Sequence, residues 1–245
     1  MVSKITNRRI LKIALPMVVS NATIPALGAV DTGVIGQLDD QILLAAVGMG
    51  AIVISTIYWF FGFLRMGTTG LVAQAKGLGD QSEVFSYLIR GVLIGLSAGL
   101  ILIFIQTQLF WVALNLFQAR PEVETQTELY LEIRIWSAPL SISNFAVLGW
   151  LIALERTLYV LYLQVFVNLI NIILNLILVL HLGWGIEGVA YASLTAELLG
   201  AFLALIITFK IYQRSGHPKV LKIFSFYEWR KLFVTNINIF FRSLI

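Results

Sequence analysis

Apolar residues run through this chain in long blocks, not in the alternating or one-faced patterns of a soluble fold. A helix needs roughly 20 apolar residues to cross a bilayer core of about 30 Å, and six blocks reach that length: Ile13 to Ile35, Leu43 to Leu64, Tyr87 to Leu109, Leu131 to Leu154, Leu158 to Leu180 and Gly188 to Phe209. Apolar side chains cover nearly every helical face of these blocks, as in helices that meet lipid as well as each other. The expected fold class is an all-α integral membrane protein, a six-transmembrane-helix bundle. A cytoplasmic amino terminus (1–12) precedes it, the transmembrane lobe covers 13–209, and a cytoplasmic linker (210–231) follows. The last apolar stretch, 232–245, is too short to span and is expected to be the start of a seventh helix, which implies a truncated or split polypeptide. A short interfacial helix is the alternative reading.

Composition strengthens this picture. Of 245 residues, 59% are hydrophobic and 12% charged, against about 25% charged in a soluble domain, and the mean hydropathy is +0.89. There is no cysteine, so neither disulfides nor thiolate metal sites are available, and the two histidines, His181 and His217, exclude a histidine-rich metal centre. No cleavable signal peptide is expected, because the first apolar block runs on into Asp31-Thr32-Gly33 without a small-residue cleavage site.

The net charge of +4 reads as membrane topology, with no nucleic-acid partner. Lys and Arg accumulate in short cytoplasmic loops. Lys4, Arg8, Arg9 and Lys12 precede the first block; Arg65, Lys76 and Arg90 border the second connection; Arg156 lies in the fourth; Lys210, Arg214, Lys219, Lys222, Arg230 and Lys231 follow the sixth. The first connection carries Asp39 and Asp40, and the third carries Glu122, Glu124 and Glu128. The expectation is a multi-pass protein of the cell (inner) membrane with its amino terminus in the cytoplasm.

Polar residues inside the blocks are the candidates for chemistry, since a charge there costs up to about 3 kcal/mol on insertion scales. Asp31 stands in the outer part of the first block. It is either a reversible proton acceptor facing a cavity, or a turn former solvated near the interface. Pro16 and Pro25 in the same block are candidate hinges. Asn168, Asn171 and Asn175 recur at spacings of three and four, hence on one helical face. Asn144 with Ser141 and Ser143, and Ser193 with Thr195 and Glu197, offer matching positions for one polar cleft; plain interhelical hydrogen bonding is the alternative. Glu132 and Arg134 read as an interfacial pair. The glycine-rich run from Gly67 to Asp80 lacks the Gly-Lys-Ser/Thr ending of a phosphate cradle. With no nucleotide site, transport would draw on an ion gradient or on another subunit.

These residues resemble the multidrug and toxic compound extrusion (MATE) transporters, in particular the DinF-like (DNA-damage-inducible protein F) subfamily. Ala14-Leu15-Pro16-Met17, Ser20-Asn21-Ala22-Thr23 and Val30-Asp31-Thr32-Gly33-Val34-Ile35-Gly36 resemble the family's first helix. Leu64-Arg65-Met66-Gly67-Thr68-Thr69-Gly70-Leu71-Val72-Ala73-Gln74-Ala75 resembles the end of its second helix and the cytoplasmic loop after it. Leu131-Glu132-Ile133-Arg134 with Ser137-Ala138-Pro139 resembles its fourth helix, Gly188-Val189-Ala190-Tyr191-Ala192-Ser193 its sixth, and Asn236 to Leu244 the opening of its seventh.

The resemblance implies one lobe of a twelve-helix fold and cation-coupled export of a small organic substrate, a drug or a metabolite, with a cationic one among the candidates. The coupling ion is a proton or sodium, with no cofactor, and two lobes rock around a central cleft. Asp31 matches the first-helix aspartate of cation coupling, Asn171 a fifth-helix asparagine, and Ser193 a position where relatives often carry threonine. Asn175 stands where many relatives have a second aspartate, and a neutral amide does not titrate. Partners implied are the lipid bilayer and either a missing carboxy-terminal lobe or a second copy. The function expected is a secondary active efflux antiporter and not an enzyme. The alternatives are an inactive fragment or membrane interaction protein, and a flippase for lipid-linked sugars, whose groove would be more cationic.

Overall fold

The computed structural model describes residues 11, 14–19, 30–38, 40–218, 223 and 225–243. In the first apolar block residues 14–19 and 30–36 are helical; Pro25 lies outside the described residues. Among the described residues nine α-helices follow: α1 (Gln41–Phe60), α2 (Gly62–Gly77), α3 (Gln81–Phe104), α4 (Gln106–Phe117), α5 (Pro121–Arg134), α6 (Ala138–Ala153), α7 (Thr157–Asn175), α8 (Gly185–Arg214) and α9 (Phe226–Ser243). Five continuous helical stretches among the described residues are long and apolar enough to cross a membrane: Gln41–Gly77, Gln81–Phe104, Pro121–Ala153, Thr157–His181 and Gly185–Arg214. Large apolar side chains on their outer faces, among them Ile101, Phe104, Phe202 and Phe209, are exposed, which suits contact with lipid. The chain is an all-α, multi-pass membrane protein.

The helix ends follow local chemistry. The Asp40 carboxylate caps α1 by accepting from the N–H groups of Ile42 and Leu43 at 2.9 and 3.2 Å, and Asp80 caps α3 through Glu83 N at 3.0 Å. Pro139 has no N–H to give the α5 ladder, and the chain crosses from α5 to α6 by one 3₁₀ turn, Ile135–Ser137. After Asn175 the fifth stretch widens into a π-helical turn, Leu176–His181, closed by Leu182 N–H on the Ile177 carbonyl at 2.9 Å.

Several boundaries differ from the sequence reading. The helix of the fourth block begins at Pro121, ten residues before Leu131, so the acidic residues Glu122, Glu124 and Glu128 read as a connection are helical. The run Gly67 to Gly77, read as loop, is helix: α2 departs from α1 only at Phe61 and continues to Gly77. Its small residues form a packing face, with Leu64, Gly67, Thr68, Leu71, Val72 and Ala75 buried, and that burial outweighs the weak helix propensity of Gly and Thr. The tail helix starts at Phe226, several residues earlier than Leu232, and lies against α2.

Helix contacts rest on small residues. Gly91, Gly95 and Gly99 make a stripe on α3 that lets α6 approach backbone to backbone. A Cβ on Gly95 would meet Ser143 N and Cα at 2.5 Å, and one on Gly99 would meet Pro139 Cα at 2.2 Å. Gly149 of α6 faces the Arg65 carbonyl of α2 in the same way, at 2.4 Å. Around this seam α1 packs on α5, α5 on α8, and α7 on α8. One apolar core gathers Ile35, Ala46, Leu131, Ile142 and Val189. A second surrounds Trp150, whose Nε1–H reaches the Val84 carbonyl at 3.0 Å.

Candidate cation-coupling site

Asp31 is delivered by the first helix, half-buried, to the end of α7. Its Oδ1 accepts a hydrogen bond from Asn175 Nδ2 at 2.6 Å. The same amide nitrogen donates to Asn171 Oδ1 at 3.0 Å, and Asn171 Nδ2 donates to Ser193 Oγ of α8 at 2.8 Å. Asn171 and Asn175 share a face because they lie one helical turn apart, and both are buried. The chain of donors thus ties three helices together and ends on the carboxylate. Asn175 Oδ1 is buried with no hydrogen-bond partner among the described residues, so the site offers a carboxylate and an unengaged amide oxygen side by side. Oxygens of this kind accept a proton or ligate a small hard cation. The π-helical turn begins immediately after Asn175, a type of helix irregularity frequent at functional sites.

A second polar group lies beside the first. Arg134 of α5 is buried, and its Nη2 lies 2.8 Å from Glu197 Oε1 of α8. Ser141 Oγ of α6 donates to Glu197 Oε2. Ser137 Oγ bonds the Arg134 carbonyl at 2.9 Å and lies 3.0 Å from the Tyr58 hydroxyl of α1. Arg134 and Glu197 both act electrostatically on Asp31. Arg134 is therefore not an interfacial partner of Glu132, which is exposed. The 3₁₀ turn between α5 and α6 keeps the chain helical, so Arg134 points inward along the face that also carries Ser137 and Ser141.

Asn168 is buried one turn before Asn171, and Thr195 is half-buried on α8. Asn144 lines an apolar cavity of about 140 Å³ with Val92, Leu96, Ala201 and Leu205, between α3, α6 and α8. Pro16 is buried among helical residues 14–19. Tyr58, Tyr130 and Ser137 escaped the sequence reading. The signal available for two of them was the spacing Tyr130, Arg134, Ser137, Ser141, which is one helical face.

In the first turns of α3, Arg90 is fully buried against Glu83 at 3.1 Å and donates to the Ile223 carbonyl at 3.2 Å. Tyr87 donates to Glu228 of α9 at 2.6 Å. These contacts fasten the segment after α8 to α3.

The architecture has counterparts. A crystal structure of "MATE in the bent conformation" superposes with a TM-score of 0.85 at 18% identity, covering 96% of this chain and 53% of that one, a likeness of fold. DNA damage-inducible protein F of Escherichia coli (strain K12) is 35% identical over 241 residues, 98% of this chain and 52% of its own length. The probable multidrug resistance protein NorM of Rhizobium meliloti (strain 1021) is 30% identical over 205 residues, 81% of this chain and 43% of its own. The chain spans about half the length of the curated relatives it matches. With the MatE family model matching residues 16–177, the chain belongs to the MatE family of transporters.

Proposed function

We propose that this chain is the cation-coupling lobe of a secondary active efflux transporter, an antiporter that moves a drug-like or metabolite substrate out as a proton or sodium ion moves in. The observation that carries this reading is the hydrogen-bond chain from Ser193 through Asn171 and Asn175 to Asp31. A carboxylate within a membrane span is costly unless it has work there, and this one is joined by fixed dipoles to two further helices. Neutralising Asp31 with a cation removes the charge on which Asn175 is aligned. The first helix is then free to shift against α7 at the π-helical turn, which gives the two states that alternating access requires.

The relatives support the substrate class, because the Rhizobium meliloti protein is described by name as a probable multidrug resistance protein. Since those relatives are about twice as long, we place the substrate path between this lobe and a facing one, either a carboxy-terminal lobe or a second copy. The basic residues put the amino terminus and the segment after α8 on the cytoplasmic side of the cell membrane.

Ethidium efflux from cells expressing the chain alone, or together with a carboxy-terminal lobe, tests the proposal when Asp31→Asn is included in each arm. Uncoupler-sensitive efflux that Asp31→Asn abolishes is expected where a facing lobe is present. No efflux in either arm despite verified insertion would favour a membrane protein that transports nothing. Efflux untouched by Asp31→Asn would remove the site assignment.

A further inference from the structure

The bundle interior holds three charged side chains within electrostatic reach of one another: Asp31, Arg134 and Glu197. Their engagement differs. Glu197 receives Arg134 Nη2 on one carboxylate oxygen and Ser141 Oγ on the other, so both of its oxygens are taken, one of them by a full positive charge. Asp31 receives the neutral amide of Asn175. Around them stand uncharged groups from every neighbouring helix: Tyr58 of α1, Tyr130 of α5, Asn171 and Asn175 of α7, and Ser193 of α8. Two negative charges against one positive leave a net charge of −1, and the amide at Asn175 adds none.

We propose that Arg134 and Glu197 are a positioning pair that cancels one of the two intramembrane carboxylates, so that the polar interior of this lobe exchanges a single positive charge, at Asp31, in each cycle. The inference rests on the reading of Asp31 as the exchanging group. Arg134 holds Glu197 out of the exchange and keeps α5 and α8 in register beneath Asp31. Ser141, and Ser137 through the Arg134 carbonyl, hold the pair from α6 and the turn before it. A guanidinium suits this task because it stays charged. Without it, Glu197 would become a second group able to take up a proton.

The test is infrared difference spectroscopy of the full chain reconstituted in lipid, recorded between neutral and acidic buffer, with protons as the probe. Subtracting the spectrum of Asp31→Asn from that of the unsubstituted chain is expected to leave the band of one protonated carboxyl group. Arg134→Gln is expected to double that signal, with Arg134→Gln/Glu197→Gln returning it to one carboxyl and Arg134→Lys keeping it at one. If Arg134→Gln does not fold, Arg134→Lys and Glu197→Gln still decide: a second carboxyl band in the former, or loss of a carboxyl band in the latter relative to the unsubstituted chain, overturns the pair. An Arg134→Gln spectrum identical to that of the unsubstituted chain, with the Asp31 band intact, overturns the pair alone. A difference spectrum with no Asp31 band counts against the proposed function itself.

Discussion

Gly95→Ala tests how the lobe is held together. The added Cβ would sit 2.5 Å from Ser143 N and Cα and 2.8 Å from Ser143 Oγ, whereas carbon atoms in contact settle near 3.5 Å or beyond. The atoms met first are α6 backbone, so no rotamer change relieves the clash and the helices must part by about 1 Å. Overpacking of this kind costs roughly 1–3 kcal/mol. The separation also stretches the hydrogen bond from Ser143 Oγ to the Val92 carbonyl of α3, now 3.1 Å, which adds about 0.6 kcal/mol at the strength usual between membrane helices. The total is about 2–4 kcal/mol. Gly48→Ala is the control, because Gly48 lies inside α1 and its new Cβ meets nothing within 4 Å. Reversible denaturant unfolding of the purified chain in mixed micelles, followed by far-ultraviolet circular dichroism, should show Gly95→Ala unfolding well before the unsubstituted chain and Gly48→Ala unfolding no earlier. Coincident curves for the two variants would refute the backbone-contact account of the α3–α6 seam.

Further consequences follow from named contacts. Asn175→Ala deletes two hydrogen bonds and should cost about 1 kcal/mol in the same unfolding assay, at about 0.6 kcal/mol each, while abolishing coupled efflux. Arg134→Met leaves Glu197 partly buried without its counter-charge and should lose about 3–5 kcal/mol, most of it recovered in Arg134→Met/Glu197→Met, since an apolar pair replaces a buried ion pair at little cost. An equally unstable double variant would contradict that. Asp80→Ala removes the α3 cap and should cost about 1 kcal/mol, with faster amide exchange at residues 81–84 by mass spectrometry.

Much of this was legible in the sequence because membrane helices announce themselves by length and apolarity. The Asn168, Asn171, Asn175 spacing likewise fixes a common face in any helix. Features that depend on partners distant in sequence were not legible. Arg134 and Glu197 lie 63 residues apart; Arg134 alone reads as a charge near the start of its block and Glu197 as a deep acid, and only the α5–α8 packing makes them a pair. Arg90 looked like an ordinary cytoplasmic border charge, but in the fold it is buried against Glu83 and the Ile223 carbonyl. The Gly67 to Gly77 run has the composition of a loop, and its helical state is set by the faces of α6 and α9 against which it packs. Asn144 shared the polar character of the cleft candidates, but its position on α6 turns it toward the apolar cavity.

The most direct test of the central claim is simultaneous recording of ethidium exit and cation entry in proteoliposomes that contain the chain with a facing lobe, with Asp31 intact or replaced by Asn. The expected result is that inward proton or sodium flux accompanies ethidium exit, and that both fall to the level of empty vesicles in Asp31→Asn. Ethidium exit at an undiminished rate in Asp31→Asn, still coupled to cation entry, would contradict the claim that Asp31 is where this lobe exchanges its cation.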